Sequence, residues 1–450
     1  MSTTPGSSRE GNLDAPTRHP LDWRNADFYD ADSLNQELER AFGICHGCRR
    51  CVSLCQAFPN LFDLVDATAD GEVHGIPKAD YGKVVDQCYL CDLCYQTKCP
   101  YVPPHPWNLD FPHLMLRAKA VGHRQGKTTR SAKILSATTA VGKLASIPVV
   151  VDVVNAANRH ASLRKLLDKA LHVHPEAVIP TYYSATARRR FARAGVPAEA
   201  ALALPAGPTH GKVAVFTTCY GNVNMPQVVD DMIAVFRHNQ IAVVLVEREQ
   251  CCGMPKLELG DLDAVAAYKS ANIPALIKAI NAGYDIVAPI PSCVLMFKQE
   301  LPLMFPDDAD VLRVKRAIFD PFEYLMHRHQ AGLLNTEFAN ALGSVSYHVP
   351  CHQRVQNIGP KTRDILALVP GTEFTLIERC SGHDGTYGVK TATYPLARKI
   401  AKPVADRVLN AASAHFTSDC PMAAAHIADG VPGKPAAENP LSLLRLAYGI

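Results

Sequence analysis

The chain has 450 residues, enough for about three domains, and its 48% hydrophobic and 20% charged residues are ordinary for a globular protein. Globally disordered, collagen-like and coiled-coil architectures are excluded. Forty-six Lys and Arg against 43 Asp and Glu leave a net charge of +3, too small for a chain that binds nucleic acid as a whole.

Fifteen cysteines are the compositional exception. An odd number cannot pair completely within one chain, and a chain this long builds a core without cross-links. Metal or redox chemistry is the first expectation. The cysteines also divide the sequence. Residues 1–40 have none and read as a polar tail (MSTTPGSSREGNLDAP) followed by a short helix; the tail lacks the apolar run of a secretory signal. Residues 41–105 hold eight cysteines, 106–210 none, and 211–450 the other seven. Five segments are expected: 1–40, 41–105, 106–210, 211–340 and 341–450. A reducing cytoplasm, where thiolates stay free to bind metal, is the expected compartment.

The eight early cysteines form two runs, Cys45-x2-Cys48-x2-Cys51-x3-Cys55 and Cys88-x2-Cys91-x2-Cys94-x4-Cys99, the second followed by Pro100. Thiolates three residues apart in a tight turn point at one centre, and the fourth reaches another. Two-cluster ferredoxins hold two [4Fe–4S] clusters in this way. By that rule one cluster takes Cys45, Cys48, Cys51 and Cys99, and the other takes Cys88, Cys91, Cys94 and Cys55. Gln56 stands where Pro usually follows the fourth cysteine, and the second run has x4 in place of x3. Two four-cysteine zinc sites are the alternative, built from Cys-x2-Cys knuckles.

The middle segment is basic. Residues 111–195 carry fifteen Lys and Arg against three Asp and Glu, a net +12 that leaves about −9 for the rest. Leu and Ala spacing in ASLRKLLDKA (Ala161–Ala170) fits a helix. Such a segment suits a linker, an acidic partner or an anionic membrane surface. The apolar stretch Ile134–Val151 is interrupted by Lys143 and followed by Asp152, short of the about 20 apolar residues that a membrane helix needs.

In the C-terminal half, Cys219 follows the apolar run Lys212–Thr218, Cys251-Cys252-Gly253 follows Ile241–Glu247, and Cys293 follows Tyr284–Ile290. Helical stretches Pro226–Gln240 and Asp261–Ala282 alternate with them. This predicts a parallel sheet with each cysteine beyond a strand's C-terminal end, the edge where open α/β sheets place their sites. Cys351, Cys380 and Cys420 follow Val345–Pro350, Phe374–Arg379 and His415–Asp419. Their offsets from the first set are 132, 129 and 127, so the half reads as a duplication. The second copy has Cys380-Ser381-Gly382 where the first has Cys-Cys-Gly. It keeps three cysteines, with His348, His352 and His383 nearby, and Cys3His is a zinc set. No one of these histidines is singled out. The glycine run Gly382-x2-Gly385-x2-Gly388 has the wrong spacing for a dinucleotide fingerprint.

The strings CCGMPKLELGD (Cys251–Asp261), ERCSGHDGTYG (Glu378–Gly388) and SDCP (Ser418–Pro421), together with the basic GKLASIP and RKLLDKALHVHPEAVIP, carry a family likeness. The chain resembles the Cys-Cys-Gly-domain Fe–S oxidoreductases related to heterodisulfide reductase and to the C subunit of anaerobic glycerol-3-phosphate dehydrogenase. The resemblance covers residues 41–450. It implies a mainly helical two-[4Fe–4S] ferredoxin module followed by a duplicated small parallel α/β (Cys-Cys-Gly) domain. It also implies an electron-transfer subunit working between a partner dehydrogenase or carrier and an acceptor. The alternatives are an enzyme reducing a disulfide or quinone at Cys219, Cys251, Cys252 and Cys293, and a membrane-peripheral anchor on the cytoplasmic face. Heterodisulfide reductase uses five cysteines per domain. Here Ile290 and Met296 flank Cys293, and Ala423 follows Cys420, without supplying the fifth. A third Fe–S cluster is expected in the first copy, and zinc at Cys351, Cys380 and Cys420 in the second.

Overall fold

The computed structural model describes residues 16–195 and 204–450; most of the polar tail, and residues 196–203 of the basic middle, lie outside them. The chain divides into two compact units. The first contains residues 16–128, Leu257–Leu262 and Leu303–Pro306. The second contains Thr129–Lys256, Asp263–Pro302 and Asp307–Ile450.

The first unit is helical. Asp30 caps Ala31–Cys48 by accepting the Ser33 N–H at 2.7 Å. This helix has 18 residues and is longer than expected: its last turn contains Cys45 and Cys48, and it ends at Arg49 in the left-handed conformation. Its buried face, Leu34, Leu38, Ala41 and Phe42, meets the helices Ala57–Asp66 and Phe111–Arg124 through an aromatic cluster. Phe42 packs edge-on against Tyr81 at 5.1 Å, and Phe58 lies 4.8 Å from Phe111. Near the N-terminus, Arg18 bonds Asp92 at 3.0 Å and Asp110 at 2.8 Å, tying the chain to the loop between Cys91 and Cys94.

The second unit holds two four-stranded parallel sheets. The first comprises β1 (Lys212–Val215), β2 (Ala242–Leu245), β3 (Asp285–Val287) and β4 (Ile318–Phe319) in the order β2-β1-β3-β4. The second comprises β5 (Ser344–His348), β6 (Glu373–Ile377), β7 (His415–Ser418) and β8 (Ala437–Glu438) in the order β6-β5-β7-β8. The orders are identical copy for copy, as a duplication requires. The two-residue edge strands β4 and β8 are too short to leave a sequence pattern.

Both copies build one core. The helix Pro226–His238 buries Val229, Met232 and Phe236 in the same cluster as Val345, Tyr347 and Leu444 of the second copy. Buried Asp231 on that helix accepts hydrogen bonds from Arg445 at 2.7 Å and Ser442 at 2.5 Å, pairing the copies through a charge that would otherwise be stranded.

Glycine is required after each paired position. Gly253 has φ +108 and Gly382 φ +71. A Cβ on Gly382 would lie 2.2 Å from the Ala397 carbonyl oxygen, whereas Gly371, with φ +73, has nothing within 4 Å. Gly382→Ala is expected to cost about 2–4 kcal/mol, combining strain and overlap, and Gly371→Ala about 1 kcal/mol. Thermal unfolding followed by circular dichroism checks this: equal losses would mean the Ala397 contact has no weight.

Candidate metal centres

In the first unit the fold brings sequence-distant thiols together. Cys45 is pushed well above the ordinary thiol range, first by burial and then by neighbouring Cys99, Cys51, Cys48 and Cys55. Cys99 is the largest of those neighbours although it belongs to the other run. Cys94 is raised by burial and then by Cys88, Cys91, Cys55 and Cys51. Each run therefore has beside it the fourth cysteine of the other. The x4 spacing before Cys99 has a local cause. Residues Cys94–Lys98 form a π-type turn closed by the Cys99 N–H on the Cys94 carbonyl at 2.8 Å. The wider i→i+5 turn absorbs the additional residue.

In the second unit every late cysteine lies beyond the C-terminal end of a strand. Cys219 opens the short helix Cys219–Val223 after β1, Cys251 and Cys252 follow β2, and Cys293 follows β3. Their sulfurs interact directly. Cys251 is held well below the ordinary thiol range by hydrogen bonds from Cys219 and Cys252, while Cys219 and Cys252 are raised. Cys251, Cys252 and Cys293 are buried, and Cys219 is half-buried. Met296, where a fifth cysteine would complete Cys-x2-Cys, is fully buried, and its terminal methyl would lie 3.4 Å from a Cβ on Gly253.

A residue with no signal in the sequence shapes this loop. Buried Asn272 accepts the Gln250 N–H at 2.7 Å and donates to the Cys251 carbonyl at 2.9 Å. Thr139 accepts the Cys251 N–H at 3.0 Å. In front of Cys219 lies a cavity of about 390 Å³, whose lining includes Lys143, Arg188, Arg248 and Glu249. Burial pushes the Glu249 carboxyl up to about 7, against the pull of Arg188.

The second copy places Cys351, Cys380 and Cys420 together. Burial pushes Cys351 well above the ordinary range, with Cys380 and Asp384 adding to it. Cys380 and Cys420 rise to about 11, again chiefly by burial. Asp384 is an electrostatic neighbour of all three thiols, in the loop after Ser381. Of the three histidines, His348 is fully engaged: Nε2 donates to the Arg379 carbonyl at 2.9 Å and Nδ1 accepts from Ser418 at 3.1 Å. His352 is buried. His383 pairs with His426, ring centroids 6.0 Å apart, and the Nε2 of each is buried without a hydrogen-bond partner among the described residues. His426 lies 43 residues from His383, with no local sequence signal to connect them. Among the described residues, no three or more His, Cys, Asp or Glu side chains close to the spacing of a single metal ion.

The donor set fits iron–sulfur chemistry. Fifteen cysteines supply soft sulfur donors gathered in groups, which is what such clusters use. Comparison with known proteins agrees. The cysteine-rich (CCG) domain model matches residues 213–298 and 345–427, the first three strands of each sheet with their cysteine loops. The C-terminal half thus contains two copies of this cysteine-rich domain. Relatives of the chain include the C subunit of the anaerobic glycerol-3-phosphate dehydrogenase of Escherichia coli K12, 27% identical over 64% of this chain and 70% of that protein. The B subunit of the fumarate reductase (CoM/CoB) of Methanothermobacter marburgensis is 28% identical over 53% of this chain and 46% of its own length. Lactate utilization protein A of Oceanobacillus iheyensis is 27% identical over 44% of this chain and 80% of its own. The relatives thus include subunits of a dehydrogenase and of a reductase, and an iron–sulfur protein of Methanocaldococcus jannaschii, 28% identical over 50% of this chain and 43% of its own length.

A further surface accompanies the centres. Among the described residues no single helix is long and apolar enough to cross a membrane; the bent pair Thr138–Ala145 and Val150–Arg159, at 107°, reaches the required length and composition together. Leu144, Ile147, Val149, Val153, Leu163 and Leu166 are exposed there, Val149 to 74%. Lys133, Lys143, Arg159, Lys165 and Lys169 lie along the same stretch of helices.

Asn272→Leu strands the Gln250 N–H and the Cys251 carbonyl in the interior, an expected loss of about 2–4 kcal/mol. Denaturant unfolding of this variant measures it; a midpoint unchanged from the native chain would remove Asn272 as the support of the cysteine loop.

Proposed function

We infer that this chain is an iron–sulfur electron-transfer subunit. Its clusters supply one-electron transfer between a partner dehydrogenase or carrier and an acceptor. Cys45, Cys48, Cys51 and Cys99 would hold one [4Fe–4S] cluster, and Cys88, Cys91, Cys94 and Cys55 the other. Cys219, Cys251, Cys252 and Cys293 would hold a third centre. The observation that carries the reading is the exchange of fourth cysteines: Cys99 is the largest thiol neighbour of Cys45, and Cys55 stands beside Cys94. Holding a metal requires these thiols to give up their protons, which burial opposes and a bound cation offsets. The second copy, with Ser381 replacing a thiol, would hold zinc through Cys351, Cys380 and Cys420, once these draw closer around the ion; Asp384, an electrostatic neighbour of all three, is a candidate fourth group.

Anaerobic purification with iron, sulfide and zinc analysis beside EPR tests this. About 12 Fe and one zinc per chain are expected, and about 8 Fe would leave the ferredoxin-type module alone. Cys252→Ser is expected to remove the third signal and leave the other two. Cys99→Ser should alter a ferredoxin-type signal and spare the third.

A second reading places disulfide or quinone reduction at the first Cys-Cys-Gly centre. It is favoured by the cavity in front of Cys219. In that case Cys252→Ser abolishes turnover.

The basic helices 130–171 would dock on an anionic membrane surface. Exposed leucines and valines beside lysines suit an interfacial helix better than a solvated one. Binding to vesicles containing phosphatidylglycerol is expected at low salt, falling severalfold at about 0.5 M salt and in Lys165→Glu/Lys169→Glu. Absence of binding at low salt would remove the membrane role and leave the redox role standing.

A further inference from the structure

The cavity in front of Cys219 has a charge pattern that electron transfer does not need. Its walls come from the helix Thr138–Ala145, from Arg188, from the Thr218–Val223 segment and from residues 248–250. At about 390 Å³ it falls within the range of small-molecule sites, roughly 300–1,000 Å³. Three cationic side chains, Lys143, Arg188 and Arg248, line it against a single carboxylate, Glu249. That carboxylate is already occupied: it accepts the Thr217 N–H at 2.8 Å and the Thr217 hydroxyl. Arg188 is held from behind, its Nη2 donating to the Val246 carbonyl at 2.7 Å. Its Nη1 is buried, and its ion pair with Glu249 is loose, at 3.6 Å, with no closer acceptor among the described residues. A buried guanidinium nitrogen held only by a long ion pair gains from a closer acceptor. Of the four cysteines of the first centre, only Cys219 lines the cavity.

We propose that this cavity binds a small organic oxyanion, a carboxylate or phosphonate, with its charged end on Arg188 and its body against the Cys219 edge of the centre. Arg188 receives the oxyanion in fork geometry, and Lys143 and Arg248 at the rim raise its local concentration. The cavity is larger than a bare phosphate ion, so an organic body accompanies the charge. The proposal rests on the reading of Cys219, Cys251, Cys252 and Cys293 as a metal centre only for the position of that body, and the test separates the two.

The metal-loaded chain is titrated anaerobically by calorimetry with succinate, phosphonoacetate, inorganic phosphate and the neutral isostere succinamide, with EPR and iron analysis on the same samples. One saturable site for succinate or phosphonoacetate is expected, at least tenfold tighter than for succinamide or phosphate. The third EPR signal is expected to change shape on binding. The rim variant Lys143→Gln/Arg248→Gln should weaken binding at least tenfold, and the off-site Arg407→Gln should leave it unchanged. No saturable site for either organic anion, or equal binding of succinamide, or equal loss in both variants, overturns the proposal. Tighter binding of phosphate than of both organic anions overturns it as well. Anion binding kept in a sample with only the ferredoxin-type iron supports the cavity and fails the centre; full iron with no binding fails the cavity alone.

Discussion

Fifteen thiols are gathered, buried or half-buried, in a few groups at the edges of sheets and the ends of helices, and most of what is distinctive here follows from that. A thiol out of water resists losing its proton, and a thiol beside other thiols resists it more. Cys45, Cys94, Cys219, Cys252 and Cys351 all show both effects. A bound cation reverses the balance for these thiols, which is why an arrangement that is costly for bare thiols is suited to metal.

The duplicated half supplies the rigid edge on which such loops can sit. Parallel strands end together, so loops far apart in sequence leave the sheet at one place. The two copies share a core and a buried carboxylate, Asp231, satisfied from the other copy by Arg445 and Ser442. Neither sheet, at four short strands, covers both of its faces alone; each supplies part of the wall of the other. The cysteine loops differ between the copies: Ser381 stands where the first has a thiol, and Asp384 is an electrostatic neighbour of the thiols that remain.

The loops also differ in what surrounds them. The first copy opens at Cys219 onto a cavity edged with cations, and its cysteine turn is propped by Asn272 and Thr139. The second encloses His383 and His426, which burial keeps uncharged, their pKa values lowered to about 3 and about 4. The first meets the cavity through Cys219; in the second all three cysteines are half-buried.

The cysteine runs, the period-130 repeat, the parallel sheets and the position of each cysteine after a strand are all legible in the sequence, because each is a local pattern of spacing and hydrophobicity. The strands β4 and β8, only two residues long, are not, since so short a run carries no period. The full length of Ala31–Cys48 escapes the sequence because a cysteine run reads as a turn while its first half is still helix. What only the tertiary structure decided concerns partners distant in the chain. Asn272 stands under Cys251, His426 beside His383, and Arg188 in the wall of the cavity at Cys219. Spacing reports which residues share a turn or a face; proximity between turns is set by how helices and sheets pack, and no single segment encodes it.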